Sequence, residues 1–158
     1  TKDRMTTKVG KNCLLMAYVH IAHDCQVGNH TVMANNSSLA GHVQVHDYAV
    51  LGGFTLVHQF CKIGAHVITA VGSVVFKDIP PYVAAAGYDA KPHGINAEGL
   101  KRRGFGAENL LQIKRAYKTL YRKGLSLAEA KCQLSSVNGN DVRLLTDFLN
   151  ASTRGIIR

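Results

Sequence analysis

The stretch that determines the fold runs from Val27 to Leu51 and reads VGNHTVMANNSSLAGHVQVHDYAVL. Every sixth residue in it is aliphatic, and the same spacing extends outward from Val9 to Val75, with Thr69 as the exception. Helical amphipathicity recurs at about 3.6 residues and strand alternation at about 2. A period of six therefore predicts short strands separated by regularly spaced corners, which is the pattern of a β-solenoid.

The other positions of the repeat agree with a solenoid. The fourth residue after each aliphatic is small or β-branched and fits a narrow interior, while the second and third are rich in Asn, Gly, Asp and His, which tolerate tight turns and positive φ. Three six-residue sides close a triangular coil of eighteen residues, so the twelve repeats from Val9 to Pro80 predict four coils. Residues eighteen apart then stack in columns. Cys25 and Cys61 lie two coils apart, too far for a disulfide at about 4.8 Å per coil, which predicts free thiols.

The second half of the chain has a different pattern. Two prolines in Asp78-Ile79-Pro80-Pro81-Tyr82 are expected to end the strands, and a helical part is expected to follow. Helices are predicted over three segments: Gln112 to Arg122, a segment opened by a capping box of Ser126 and Glu129, and Asp141 to Leu149. The predicted organisation is an all-β solenoid over residues 1–80 and a small α-helical C-terminal domain over residues 81–158.

Positive charge is concentrated in the predicted helical domain. The net charge is +9, and residues 81–158 hold thirteen Lys and Arg against six acids. The basic residues lie on helical faces without the aromatic platforms of a nucleic-acid reader. They form either a solvated helical face or a surface for an anionic partner, such as an anionic small molecule or an acidic carrier protein. No stretch of eighteen apolar residues or signal peptide is recognisable, which favours a cytoplasmic protein without a transmembrane segment.

The column rule brings several histidines to one corner of three consecutive coils. One column holds His23, Gly41 and Gln59, the next holds Asp24, His42 and Phe60, and His20 and His58 flank the corner. By contrast, His30, His46 and His66 fall on another corner and are interpreted as structural or exposed.

This set of residues suits acyl transfer through a tetrahedral intermediate. His23 is a candidate general base and Asp24 a candidate partner that holds its tautomer. Gly41 has no side chain to obstruct its amide, which could face a developing oxyanion. Since no cysteine or serine is placed to act as a nucleophile, an acceptor hydroxyl would attack a thioester directly.

Two alternatives remain open on these residues. His20, His23 and His42 could bind zinc as in a zinc hydratase, because carbonic anhydrases hold their zinc with three histidine ligands. Here the three ligands would be shared between subunits. A purely structural solenoid is the other, although it leaves the histidines unexplained.

The repeat resembles that of the hexapeptide-repeat acyltransferases, whose fold is a left-handed parallel β-helix. Longer motifs make the chain similar to one family among them, the UDP-N-acetylglucosamine O-acyltransferases, which carry out the first step of lipid A synthesis. The motifs that carry this likeness are the runs 20–25 (HIAHDC), 39–43 (LAGHV), 57–61 (VHQFC), 78–83 (DIPPYV), 98–105 (EGLKRRGF) and 152–155 (STRG). The related N-acyltransferases of the pathway are the nearest alternative, but they lack the Gly-Leu-Lys-Arg-Arg-Gly run of residues 99–104.

The resemblance implies specific roles. His23 would be the general base on the glucosamine 3-hydroxyl, with Asp24 as its partner and Gly41 as the oxyanion donor. The sugar and acyl site would be lined by His20, His42, His58 and Gln59, and the uridine and phosphate end by Asn96, Glu98, Arg102 and Arg103. The donor would be an (R)-3-hydroxyacyl thioester on acyl carrier protein, and the sites would lie between subunits of a homotrimer. No metal or other cofactor is expected.

Two features of the chain depart from the family pattern. An aspartate and a lysine that contact the sugar from earlier coils have no counterpart, so the chain is expected to be the carboxy-terminal part of a longer solenoid. The position that sets acyl length falls at Val71, where some members carry glycine, which implies a shortened acyl pocket.

Overall fold

The structure is a computed structural model that describes residues 5–158. Twelve two-residue strands form a solenoid: β1 Lys8–Val9, β2 Leu14–Leu15, β3 His20–Ile21, β4 Gln26–Val27, β5 Val32–Met33, β6 Ser38–Leu39, β7 Gln44–Val45, β8 Val50–Leu51, β9 Leu56–Val57, β10 Lys62–Ile63, β11 Ile68–Thr69 and β12 Val74–Val75. The predicted β-solenoid of about four turns is therefore confirmed. Residues 1–4, the start of the range assigned to it, lie outside the described residues.

Every third strand pairs in parallel, which gives the coil three flat sides. Sheet A consists of β1, β4, β7 and β10, sheet C of β3, β6, β9 and β12, and sheet B begins with β2, β5, β8 and β11. Partners are eighteen residues apart, as in Gln26 with Gln44 and His20 with Ser38. The columns predicted from the sequence are thus the registers of the sheets.

The corners are built by a left-handed backbone conformation that recurs every six residues. Asp24, His42 and Phe60 have φ values of 61°, 63° and 66°, and the same conformation is found at the matching position of the other corners. It costs a residue with a side chain roughly 1–2 kcal/mol. Hydrogen bonds between coils offset this cost, such as the 3.0 Å bond that the His42 amide donates to the His23 carbonyl.

The interior of the coil holds the two kinds of residue that the repeat predicted. The aliphatic ladder is buried from Val27 onward, and the small position is fully buried from Cys25 to Ser73. Val9 and Leu15 are 43% and 42% exposed, because no earlier coil covers them within the described residues. Thr69, the exception in the ladder, shares a 2.8 Å hydrogen bond with the Thr55 hydroxyl. The predicted free thiols of Cys25 and Cys61 are confirmed, and Cys13 and Cys132 are free as well.

Strands continue beyond Pro80 and Pro81, contrary to the prediction that these two prolines end them. Strand β13 (Val83–Ala86) pairs in parallel with β11 and extends sheet B, and β14 (Lys91–Ile95) pairs antiparallel with β13. Both prolines lie in the turn before β13, where no ladder hydrogen bond is lost. The boundary of the two predicted domains at Pro80 stays a prediction.

Four helices follow within the described residues: α1 Ala97–Arg102, α2 Ala107–Tyr121, α3 Leu127–Ser135 and α4 Asn140–Ala151. The capping box of Ser126 and Glu129 is confirmed at the start of α3. Helices α2, α3 and α4 share a second apolar core around Ile113, Leu134 and Leu145, which Tyr82 and Leu100 also join. None of these helices combines the length and apolarity needed to cross a bilayer.

A column of stacked rings joins the solenoid to α1. His30, Tyr48, His66 and Tyr82 stack at successive centroid distances of 4.7, 5.0 and 5.7 Å. The Asn96 side chain donates a 3.0 Å hydrogen bond to the His66 carbonyl and also caps α1. His66 therefore lies at the contact between the coil and the helices.

This contact predicts a stability that decreases in acid. Burial, reinforced by the Arg103 guanidinium, lowers the pKa of His66 to about 4, below the ordinary value of about 6.5. Between these two pH values His66 is protonated in the unfolded chain but neutral in the folded chain. The free energy of unfolding therefore falls as the pH falls from 6.5 to 4. We expect His66→Phe to weaken this pH dependence in denaturant unfolding measured across that range. Part of the dependence should remain, because burial also lowers the pKa of His46.

Phenylalanine suits the backbone at this position, since Phe54 and Phe60 hold φ values of 57° and 66° against 60° at His66. The matched control is His30→Phe, which changes an exposed histidine in the same column. Equal pH dependence in His66→Phe and the unchanged chain would contradict the assignment.

Candidate active site

The corner between sheets C and A carries most of the residues singled out in the sequence, and we call it the histidine corner. Two columns form this corner: His23, Gly41 and Gln59, followed by Asp24, His42 and Phe60, which hold the left-handed conformation. Its members lie one coil apart because β3, β6 and β9 pair in register. The predicted juxtaposition is thus present in the structure.

His23 and Asp24 form a hydrogen-bonded pair. The Nδ1 atom of His23 lies 2.9 Å from Oδ2 of Asp24, and the side chains are 53% and 1% exposed. A carboxylate accepts hydrogen bonds, so the proton of a neutral His23 lies on Nδ1 and its Nε2 lone pair is available to a substrate. This arrangement is that of a general base with an orienting partner.

His42 completes a compact group with this pair. Its Nε2 atom lies 3.8 Å from the same Asp24 oxygen, and its ring meets that of His23 edge-on at 5.2 Å. On its other side it stacks on Phe60 at 4.6 Å. Donor atoms of His23, Asp24 and His42 lie within 4.8 Å of one another and could hold a metal ion. His20 is not a member of this group, so the three-histidine zinc site considered from the sequence is not formed within the chain.

Gly41 lies directly beneath the His23 ring. A Cβ added at Gly41 would meet Cε1 and Nε2 of His23 at 2.6 and 2.7 Å. Within residues 5–158 the Gly41 amide donates no hydrogen bond to backbone or side chain. The corner therefore combines a base with an N–H group at the same column position of the adjacent coil, and among the described residues this N–H has no hydrogen-bond partner.

Three further predicted residues surround this group. His20 is exposed on β3, while His58 and Gln59 are exposed one coil beyond Gly41. His58 lies 6.0 Å from the Phe76 ring, and its Nδ1 atom is 3.4 Å from Nη2 of Arg154. Arg154 belongs to the C-terminal tail and was given no role from the sequence.

The residues predicted for the nucleotide lie at a different corner, between sheets A and B. Asn96 is buried, and its amide is engaged in capping α1 and in bonding His66. Arg103 lies over the Tyr48 ring, 5.4 Å from its centroid, and burial lowers the pKa of its guanidinium. Glu98 pairs with Lys101 at 2.8 Å, which lowers the pKa of its carboxyl, and Arg102 is exposed. Within one chain, these residues do not join the histidine corner.

Val71 lies at the third corner, between sheets B and C. The residue is 75% exposed, and its side chain adjoins Gly53 in the same column. The predicted site residues thus occupy all three corners of the coil.

The structure also shows a groove that sequence reasoning did not identify. It has a volume of about 500 Å³ and lies on sheet A beside α4, lined by residues that include Gln44, His46, Tyr48, His66 and Leu144. His46 and His66, interpreted from the sequence as structural or exposed, are half-buried in its wall. The eighteen-residue spacing places His46 and His66 near one corner, but the repeat contains no signal that α4 packs beside them.

A parallel solenoid of hexapeptide repeats with a histidine–carboxylate pair at one corner defines the class of hexapeptide-repeat transferases. In agreement, residues 6–41 match the family described as bacterial transferase hexapeptide (six repeats). Residues 78–157, half of the chain, match the family described as UDP N-acetylglucosamine O-acyltransferase, domain 2. The chain therefore belongs to the UDP-N-acetylglucosamine O-acyltransferase family.

Individual relatives agree with this membership. The chain is 60% identical over 159 residues to the acyl-[acyl-carrier-protein]–UDP-N-acetylglucosamine O-acyltransferase of Thiobacillus denitrificans, a match that covers 99% of this chain and 62% of that protein. The UDP-N-acetylglucosamine acyltransferase structure from Francisella novicida superposes with a TM-score of 0.94 at 44% identity, covering 96% of this chain and 56% of that one. The UDP-N-acetylglucosamine O-acyltransferase of Moraxella catarrhalis gives a TM-score of 0.96 at 39% identity, covering 99% and 62%. The chain spans 62 to 63% of the length of the curated relatives it matches.

Proposed function

We propose that the protein transfers an (R)-3-hydroxyacyl group from acyl carrier protein to the 3-hydroxyl of UDP-N-acetylglucosamine, the first step of lipid A synthesis in the cytoplasm. The observation that carries this proposal is the hydrogen-bonded His23–Asp24 pair standing over the free amide of Gly41. The family membership and the names of the relatives support the same reaction.

His23 acts as the general base in this proposal. Its Nε2 atom takes the proton of the 3-hydroxyl while the oxygen attacks the thioester carbonyl, and the imidazolium that forms is stabilised by the buried Asp24 carboxylate. The carbonyl oxygen becomes an oxyanion and accepts a hydrogen bond from the Gly41 N–H. Collapse of the intermediate breaks the carbon–sulfur bond, and the proton on Nε2 passes to the departing sulfur.

Substrate binding needs more than one copy of the chain. We infer a homotrimer in which the histidine corner of one subunit, with His20, His42, His58 and Gln59, faces the cluster of Asn96, Glu98, Arg102 and Arg103 on its neighbour. The placement of the two sets at different corners supports this sharing. Arg103 is suited to a diphosphate, since its buried Nη1 atom has no hydrogen-bond partner among the described residues. Asn96 would act indirectly, by fixing α1.

The excess of basic residues after Pro80 supports an acidic carrier protein as donor. Thirteen Lys and Arg against six acids leave residues 81–158 with a charge of 13 − 6 = +7. Such a surface attracts an acidic partner and raises its association rate at low ionic strength.

The proposed reaction is tested by incubating the protein, at the full length of its relatives, with UDP-N-acetylglucosamine and a panel of (R)-3-hydroxyacyl carrier proteins, and by identifying products by mass spectrometry. An ester on the sugar 3-hydroxyl is the expected product. An amide product from an amino-sugar acceptor would favour the N-acyltransferase alternative, and no product with any donor would overturn acyl transfer.

A metal-dependent hydratase remains the second candidate, because three donor groups lie within 4.8 Å of one another. Metal analysis of the same preparation separates the two. About one zinc per active site, with carbon dioxide hydration lost on chelation, would favour the hydratase.

We further propose that Val71 limits the length of the acyl chain. Its side chain projects from a corner, and valine fills space that glycine would leave open. We expect Val71→Gly to shift the preferred donor toward longer acyl chains in the same mass-spectrometric panel. Val71→Ile is the matched opposite change and should shorten the preferred chain. An unchanged preference in both variants would remove this role.

A further inference from the structure

The C-terminal tail of the chain is fixed at the end of the histidine corner. Asp78 lies in the same column as Asp24 and His42, and it is fully buried. Its carboxylate accepts 2.7 Å hydrogen bonds from the Lys62 amide and the Ser152 hydroxyl. Its amide donates to the Gly155 carbonyl at 3.0 Å, and its carbonyl accepts from the Ile157 amide at 2.9 Å. Buried Asp78 thus anchors residues 152–157 beside the corner.

This anchoring brings an arginine to the candidate active site. Arg154 lies between the anchored residues, and its Nη2 atom is 3.4 Å from Nδ1 of His58. No carboxylate in the part of the chain that the structure describes lies within ion-pair distance of its guanidinium. The nearby thiol of Cys61 stays protonated, because burial raises its pKa to about 11. Among the described residues, Arg154 is therefore a positioned cation without an ion-pair partner.

The position of Arg154 also decides which nitrogen of His58 carries the proton. Nδ1 of His58 lies 3.3 Å from the Gln59 carbonyl oxygen and 3.4 Å from Arg154. The two contacts exclude each other, since a bond to the carbonyl needs an N–H at Nδ1 whereas a bond from the guanidinium needs a lone pair there. A guanidinium repels an N–H directed at it and attracts the lone pair, so the cation favours the form protonated at Nε2. His58 then presents an N–H donor from an exposed ring.

We propose that Arg154 is a positioning residue that holds His58 in its Nε2–H form, and that the two side chains together bind a phosphate ester of a substrate. This inference rests on the proposed function, which supplies two sources of that chemistry. One is the diphosphate of the sugar nucleotide, and the other is the phosphodiester of the phosphopantetheine that carries the acyl group. Fixed N–H donors with a positive charge are the groups that recognise phosphate oxygens.

The first test reads the tautomer of His58 directly by ¹⁵N NMR of the histidine ring nitrogens. We expect the unchanged protein to show protonated Nε2, and Arg154→Ala to shift the proton toward Nδ1, where the Gln59 carbonyl can accept it. Thr153→Ala is the control for loosening of the tail and should leave the tautomer as it was. The same tautomer in the unchanged protein and in Arg154→Ala would overturn the positioning role, whether or not the protein shows acyl transfer.

The second test identifies the phosphate source. UDP and 4′-phosphopantetheine are titrated separately while the signals of His58 and of the Arg154 guanidinium are followed. A response to one ligand that weakens about tenfold in affinity in Arg154→Ala, and less in Arg154→Lys, supports the binding role and names the source. Lys11→Ala, which removes an exposed charge elsewhere on the solenoid, should leave both affinities unchanged.

Signals that respond to neither ligand would overturn phosphate binding. An equal loss of affinity in Arg154→Ala and Thr153→Ala would also overturn it, because the tail would then act only as structure. In steady-state assays the expected change is a raised KM for the substrate that carries the bound phosphate, with kcat within a few-fold. Absence of turnover in the unchanged protein would instead refute the proposed function and leave both NMR results interpretable.

Discussion

His23→Ala is expected to reduce kcat for acyl transfer by about 10²- to 10⁴-fold, the usual contribution of a positioned general base. The side chain is half exposed and lies outside the coil interior, so the variant should fold and unfold like the unchanged protein. Steady-state kinetics at full length with a carrier-bound donor measure the effect, and thermal unfolding checks the fold.

The matched control for this variant is His93→Ala, which removes an exposed histidine from β14, away from the corner. It should retain full activity. A His23→Ala enzyme with kcat within a few-fold of the unchanged protein would remove His23 from the mechanism and return the corner to the scaffold interpretation.

Gly41→Ala is expected to cost about 10²-fold in kcat, since a displacement of about 1 Å at a reacting group has effects of this size. The new Cβ would lie 2.6 Å from the His23 ring, which must move away from its place over the amide. Because Gly41 is outside the left-handed region and the obstructing atoms are at the end of a half-exposed side chain rather than in the backbone, we expect little loss of stability.

A double variant tests this explanation. If Gly41→Ala acts by displacing the base, the combination with His23→Ala should be no slower than His23→Ala alone. Gly53→Ala changes the equivalent corner position between sheets B and C, where the nearest atom to the new Cβ is 3.4 Å away, and should leave kcat unchanged. Multiplicative losses in the double variant would mean that Gly41 acts independently of His23.

The solenoid and its columns could be predicted from the sequence because both follow from one period. Once every sixth residue is assigned to the interior, the corner positions of Asp24 and His42 follow by counting, and so does their proximity to His23. Thr69, the one polar residue of the ladder, is also buried inside the coil as the period predicts, and its hydroxyl is hydrogen-bonded there to Thr55. Local patterns likewise sufficed for the capping box at Ser126.

What could not be predicted depends on contacts without a period. The return of the tail to Asp78 joins residues more than seventy positions apart, and nothing in the spacing of Ser152 or Arg154 indicates it. Similarly, the resemblance predicts that Asn96 binds the ligand, whereas its amide caps a helix and bonds the backbone of His66. These contacts arise from the docking of helices and tail on the coil, which the repeat does not encode.

The stacking of residues eighteen apart also constrains how the sequence of such a protein can diverge. An insertion of six residues after Gly41 would keep the aliphatic period and the buried core, yet it would carry His58 and Gln59 round to the next side of the triangle. An insertion or deletion of eighteen would preserve the corner and only change its distance along the axis by about 4.8 Å. Length variation that keeps a shared catalytic corner is therefore restricted to whole turns of eighteen residues, although insertions of six or twelve would still keep the buried core.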